Sequence, residues 1–184
     1  MKQRLRLQTR GNDMPTPQMP VDSEFGAAST AAEVIRGISL RGKTAIVTGG
    51  YSGIGLETVR VFVTAGAHVI VPARSRTKAD DALKGLRDVE IESMELSDPK
   101  SVNDFADRFL ASDRALHILV DNAGIMAPPL QRDKRCYELQ LSTNYLGHFQ
   151  LTARLLPALM GDDIPHLPFV EPSPRHLPSP VRYN

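Results

Sequence analysis

The chain has 184 residues, of which 41% are hydrophobic and 23% charged, and its formal net charge is +1. That is enough chain for one domain with a real core, at the composition of soluble globular proteins. The balanced charge gives no reason to expect nucleic acid as partner. The single cysteine, Cys136, excludes an internal disulfide, and no apolar run approaches the ~20 residues of a membrane span. The expected setting is cytoplasmic.

In the opening "MKQRLRLQTRGNDMPTPQMP", Lys2, Arg4, Arg6 and Arg10 precede the first acid, Asp13. An Arg-rich, acid-poor stretch suits an organelle-targeting peptide. The plainer reading is a disordered basic and Pro-rich tail over 1–28, with Met14 and Met19 as alternative starts. Order is expected from Ser29. In "STAAEVIRG", Thr30 and Glu33 have capping-box spacing, and Gly37 stops the helical run. "GKTAIVT" (42–48) is a short apolar run of strand type. After a Gly-rich turn, Leu56, Val59 and Val63 recur at helical spacing up to Gly66. "HVIVP" predicts the next strand, "RTKADDALKGL" a polar-faced helix, and "EIESMEL" (90–96) a third strand. Asp98 then caps a helix with Pro99 in its first turn and a buried stripe of Val102, Phe105 and Phe109. "LHILV" (116–120) predicts a fourth strand, and a long helical run follows from about Arg135 to Met160, with Pro157 expected to kink it. Alternating strands and helices argue for an α/β fold, a doubly wound parallel sheet of Rossmann type with helices on both faces.

The first strand–helix turn, "TGGYSGIG" (Thr48–Gly55), carries the chemistry. Small residues there let the backbone approach a pyrophosphate, and the helix N-terminus offers unpaired N–H groups and a positive dipole end. Glycines alone also make tight turns without any ligand. The strand before and the helix after are the context that favours a nucleotide.

The spacing T-G-x-x-x-G-x-G resembles the short-chain dehydrogenase/reductase family. "DNAGIMAPP" (Asp121–Pro129), directly after the fourth strand, resembles that family's N-N-A-G block. "STNYLGHFQLT" (Ser142–Thr152) resembles its long helix with an active-site Asn, here Asn144. The resemblance runs from about Ser29 to Met160 and is nearest the branch of retinol dehydrogenases, WW-domain oxidoreductase and protochlorophyllide reductase. It implies a nicotinamide dinucleotide held by Thr48, Gly49, Ser52, Gly53, Ile54 and Gly55. It adds Glu95 and Leu96 at the adenine, and Asn122, Ala123 and Gly124 along the cofactor path. Asp121 departs from the usual Asn. The long helix, apolar on more than one face, implies that a homo-oligomer can form.

Cofactor preference has a charge argument. An NAD site places an acid at the end of the second strand to hold the ribose 2′-OH. "AHVIVPARSRTKA" (67–79) contains no acid and offers Arg74 and Arg76 instead, so NADP is expected over NAD. His148 reads as a packing or surface histidine, with no neighbouring Cys, His or acid to make a metal site.

In the family, a Tyr handles the hydroxyl proton, a Lys four residues later lowers its pKa, a Ser polarises the substrate oxygen and the helix Asn supports the relay. The substrate would be a small carbonyl or alcohol. This sequence supplies Asn144 but no Tyr-x-x-x-Lys: Gly55, Leu141 and Phe149 follow Tyr51, Tyr137 and Tyr145. Residues 162–184 hold six prolines, where a central strand would need N–H groups. "HLPFVEPS" is one reading of a degraded strand with Ser173 near the active-site Ser. The preferred reading is that the family pattern is lost after Met160, as in a truncated or frame-shifted product, leaving a partial nucleotide-binding domain at 29–161 and an irregular tail. Such a chain is expected not to turn over. The alternative function is a non-catalytic nucleotide-binding or interaction fragment.

Overall fold

Period-two alternation decides how the strands pack. Ala45 and Val47 point to one face of the sheet and Ile46 to the other; Val69 and Val71 oppose Ile70 in the same way. A computed structural model describes residues 23–161 of the chain. The basic segment up to residue 22 and the Pro-rich tail from 162, with Ser173 and Tyr183, lie outside the described residues.

The elements run α1 (Ala31–Val34), β1 (Thr44–Val47), α2 (Gly53–Thr64), β2 (His68–Ala73), α3 (Arg76–Ala82), β3 (Val89–Ser93), α4 (Pro99–Ala111) and β4 (Ile118–Val120). A π-helical turn (Leu141–Gly147) then leads into α5 (His148–Met160). All strand pairs are parallel, in the order β3-β2-β1-β4. This is the doubly wound, Rossmann-like arrangement expected. One face packs Ile46 and Ile70 under Val102, Phe105 and Phe109 of α4 and Leu151 and Leu155 of α5. The other packs Val47, Val69 and Val71 under Val59 of α2 and Ala79 of α3.

Local signals explain the helix ends. Thr30 and Glu33 form the reciprocal capping box. Asp98 caps α4, its carboxylate accepting the Lys100 N–H at 3.0 Å, with Pro99 at the first helical position. Three boundaries differ from expectation. β3 ends at Ser93, because the chain turns through Glu95, whose N–H donates to Ser101 Oγ and whose carbonyl accepts the Asp98 N–H. β4 is confined to Ile118–Val120.

The third difference is the start of the long helix, at Leu139 rather than Arg135. The Asp133 carboxylate takes the N–H groups of Arg135 and Tyr137 and closes a turn there. Cys136 sits in that turn at φ 67°. The Glu138 carboxylate then accepts from the N–H groups of Gln140 and Leu141 and starts the helix. Those two bonds, Gln140 first, hold its pKa below the ordinary carboxylate value. Pro157 lies inside α5, but the wider helical turn falls upstream of it, at Leu141–Gly147.

Candidate functional site

The carboxyl ends of the parallel strands converge where β1 and β4 lie side by side and the order of the sheet reverses. Open α/β sheets take ligands at such a point. A cavity of about 630 Å³ opens there. Thr48, Gly49, Ser52 and Ile54 line it from the turn after β1, and Arg74 and Lys78 from the end of β2 and the start of α3. Glu95 and Leu96 follow β3, and Asn122, Ala123 and Gly124 follow β4.

The glycines of the turn have separate reasons. Gly49 has φ 66° and Gly53 φ 51°, a region that L side chains rarely adopt. At Gly55 the constraint is space, since a Cβ would lie 2.4 Å from the Gly49 carbonyl oxygen and 2.5 Å from Asn122 Nδ2. Gly53 and Gly55 therefore shape the turn through their backbones. Ser52 precedes α2 but makes no side-chain cap bond. The first N–H groups of a twelve-residue helix are thus left uncapped by it, at its positive dipole end.

Thr48 ties this turn to β4. Its N–H donates to the Val120 carbonyl at 3.0 Å. Its hydroxyl oxygen accepts the N–H groups of Asn122 at 2.9 Å and Ala123 at 3.0 Å. Asn122 Nδ2 returns a bond to the Thr48 carbonyl at 3.0 Å. His148 does more than pack or face solvent. It is only 7% exposed, its Nε2 lies 2.9 Å from Thr48 Oγ1 and its Nδ1 lies 3.0 Å from the Asn144 carbonyl oxygen. No local pattern signals this role, because the partner is one hundred residues away.

The Asn144 amide is clamped to one backbone position: Ile125 N–H donates to Oδ1 at 2.9 Å and Nδ2 donates to the Ile125 carbonyl at 2.8 Å. Its neighbours Thr143 and Ile125 line the cavity. Asp121 finds a definite partner, accepting from the Thr152 hydroxyl at 2.8 Å. Glu95 binds its own turn, accepting from the N–H and hydroxyl of Ser97.

The expected arginine pair divides. Arg74 is exposed at the cavity, whereas Arg76 reaches Asp80 at 3.1 Å and the Ile91 carbonyl at 2.9 Å. Lys78, in the first turn of α3, takes the second place at the cavity. Arg74 precedes the helix, so only the basic character of "ARSRTK" signalled Lys78.

Behind the site, the loop from β4 to the helix is fixed by Asp133. Burial would raise its pKa, but the Ser142 hydroxyl, the Arg135 guanidinium and the N–H groups of Tyr137 and Arg135 outweigh this and hold it at about 2. Among the described residues no group of His, Cys, Asp and Glu could hold a metal ion, and no helix is long and apolar enough to cross a membrane.

Comparison with known proteins agrees with this geometry. The short chain dehydrogenase family model matches residues 43–164. A Brassica napus protein, short-chain dehydrogenase TIC 32 B, chloroplastic, is 43% identical over 73% of this chain and 44% of its own length. Human retinol dehydrogenase 12 is 39% identical over 66% of this chain and 40% of its own length. The chain thus spans less than half the length of these curated relatives. Among solved structures, an uncharacterised protein of Mycobacterium paratuberculosis superposes with TM-score 0.61 at 38% identity, over 66% of this chain and 44% of that one. Pseudomonas aeruginosa RhlG, in an NADP active-site complex, superposes with TM-score 0.57 at 30% identity, over 66% of this chain and 49% of that one.

Proposed function

The chain belongs to the short-chain dehydrogenase family, and from that premise we propose that its cavity binds a nicotinamide dinucleotide, NADP in preference to NAD. On this reading it is the nucleotide half of an oxidoreductase acting on a carbonyl or alcohol. Bound there, the dinucleotide supplies or accepts the hydride; this chain's residues hold and orient it. The uncapped N–H groups at the start of α2 suit a pyrophosphate. Arg74 and Lys78 suit a 2′-phosphate, as a planar fork and a point charge. Glu95 and Leu96 border the adenine side, Asn122, Ala123 and Gly124 the path beyond, and Asn144 is the proton-relay residue.

The observation that carries the preference is the cationic pair at the cavity, with Arg74 directly after β2 where an NAD site would carry an acid. The similar Pseudomonas structure, an NADP complex, supports it. NADPH and NADH titrated against wild type and Arg74→Ala test it. NADPH should bind more tightly, and Arg74→Ala should lose ~1.5–3 kcal/mol for NADPH only. Equal wild-type affinities, unmoved by the substitution, reject it.

We further propose that these 184 residues bind without turnover, because none of their tyrosines is followed four residues later by a lysine. A positioned proton donor is worth ~10²–10⁴-fold in rate. NADPH consumption with retinal-like, quinone and steroid carbonyls should stay at background. Turnover that Tyr183→Phe abolishes would reverse that reading. The cytoplasmic setting is part of the proposal; the Brassica relative is named chloroplastic, and cell fractionation decides between compartments.

A further inference from the structure

Among the described residues the buried polar side chains are Thr48, Ser142 and His148. Ser142 is accounted for: its hydroxyl donates to Asp133 at 2.7 Å and accepts from Arg135 at 3.0 Å. Thr48 and His148 meet at 2.9 Å, where the turn after β1 faces the helix that carries Asn144. The family reaction as proposed above gives His148 no task.

Proton counting at this contact has one consistent solution. A carbonyl oxygen only accepts, so the ring nitrogen 3.0 Å from the Asn144 carbonyl must carry a hydrogen. The backbone N–H of His148 goes to the Tyr145 carbonyl. With Nδ1 protonated, neutral imidazole presents a bare Nε2. Thr48 Oγ1 has two lone pairs and one hydrogen. Both lone pairs are engaged, by the N–H groups of Asn122 and Ala123. Its hydrogen has two acceptors within reach, Nε2 at 2.9 Å and the Val120 carbonyl at 3.3 Å. The Val120 oxygen already accepts the N–H groups of Thr48 and Asn122. Nε2 is the nearer acceptor, and among the described residues no other hydrogen is aimed at it. The opposite tautomer would set a lone pair against the Asn144 carbonyl and bring a third donor to a hydroxyl oxygen with two lone pairs.

We propose that His148 is a positioning residue for the dinucleotide cradle. The Asn144 carbonyl fixes its tautomer, and its Nε2 takes the Thr48 hydroxyl proton. Both lone pairs of Thr48 then stay turned to the backbone of Asn122 and Ala123. The π-helical turn bearing Asn144 and the two glycine turns lining the cavity are thereby one hydrogen-bonded unit. Displacing the ring releases the Thr48 hydroxyl to rotate; the Ala123 amide then loses its fixed acceptor, while the Asn122 N–H keeps the Val120 carbonyl at 3.1 Å.

The test needs no bound ligand for its first two readouts. Long-range proton–nitrogen NMR of the His148 ring should show the Nδ1–H tautomer; Nε2–H overturns the proposal, and this readout decides alone if a variant fails to fold. In His148→Leu, amide exchange at Ala123 should quicken about tenfold, and at Asn122, which keeps the Val120 carbonyl, by less; in His148→Gln, whose amide oxygen can still accept from Thr48, most of the Ala123 protection should return. Exchange that stays at the wild-type rate in His148→Leu, or is equally fast in both variants, overturns it. The third readout rests on the function proposed above. NADPH should bind His148→Leu about tenfold more weakly than wild type, with His148→Gln between them. Wild-type protein that binds neither NADPH nor NADH rejects the dinucleotide reading, while tautomer and exchange still decide the role of His148.

Discussion

β1 and β2 are buried along nearly their whole length, whereas each residue of β4 is half-exposed. The two inner strands have a strand on either side and helices on both faces. Among the described residues β4 pairs only with β1, and the helix that follows it shows Tyr145 and Phe149, stacked at 6.4 Å, to solvent. The side with β1, β2 and β3 is therefore held by packing. α5 adds Leu151 and Leu155 to the core, but the stretch from β4 to the π-helical turn is held mainly by specific polar contacts: Thr48 with Asn122 and Ala123, Asn144 with Ile125, Asp133 with Ser142 and Arg135. Packing tolerates small changes of shape; hydrogen-bonded loops depend on single atoms. The nucleotide cavity lies across the seam between the two regimes.

Two phenylalanines measure the contrast most sharply. Phe105 is 1% exposed under the sheet and Phe149 is 66% exposed on α5. Phe105→Ala should destabilise the fold by ~3–5 kcal/mol, and Phe149→Ala should change it by no more than ~0.5 kcal/mol. Chemical denaturation of both reads the difference, and similar losses would show that the α5 face is covered in solution. Sizing the same samples sharpens the point, since an oligomer that Phe149→Ala dissolves would identify what covers it.

A smaller effect is expected in the β4–helix loop. Cys136 holds φ 67°, where L residues are strained by about 1–2 kcal/mol. Cys136→Gly should therefore raise stability by ~0.5–1 kcal/mol after the extra freedom of unfolded glycine is deducted. Cys136→Ala should leave it nearly unchanged. A destabilised glycine variant would mean that the thiol has a packing role outweighing the strain.

The smallest effect is confined to the same loop and appears only in acid. Asp133 has a folded pKa of about 2, below its ordinary 3.8. The stabilisation that it gives the loop is complete above the ordinary value and is lost as pH falls through the folded one. Protection of the Arg135 and Tyr137 amides, relative to intrinsic exchange, should fall between about pH 4 and pH 2, and Asp133→Asn should show no such step. A flat profile in wild type would remove Asp133 as the fastener of this loop.

How much of this could be read from residue order follows the same division. The packed side was legible because its signals are local: the apolar runs of "TAIV" and "HVIV", the Thr30–Glu33 box, and Asp98–Pro99 opening α4. Thr48, Gly49, Ser52 and Ile54 of the glycine turn line one cavity with Asn122–Gly124. What was missed depends on distant partners or on unusual backbone. Arg135–Glu138 has helical composition, yet Asp133, pinned by Ser142 nine residues later, draws it into a turn. No residue type announces a π-helical turn, and cysteine is not a residue that announces positive φ. Arg76 and Lys78 exchanged places because Asp80 sits one turn beyond Arg76 and captures it.

The parallel pairing of β1 with β4 also has a temporal side. β4's partner in the sheet is made about 72 residues earlier. At a synthesis rate of ~5–20 residues per second, β1 leaves the ribosome roughly 4–15 s before β4 does. In that interval β2 and β3 can zip onto one edge of β1 while its other edge stays bare. The nascent chain thus carries a hydrophobic strand edge, a template for any other strand that reaches it first. The contacts that later shape the nucleotide turn, from Thr48 to Asn122, Ala123 and His148, close only after β4 and the start of the following helix have been made.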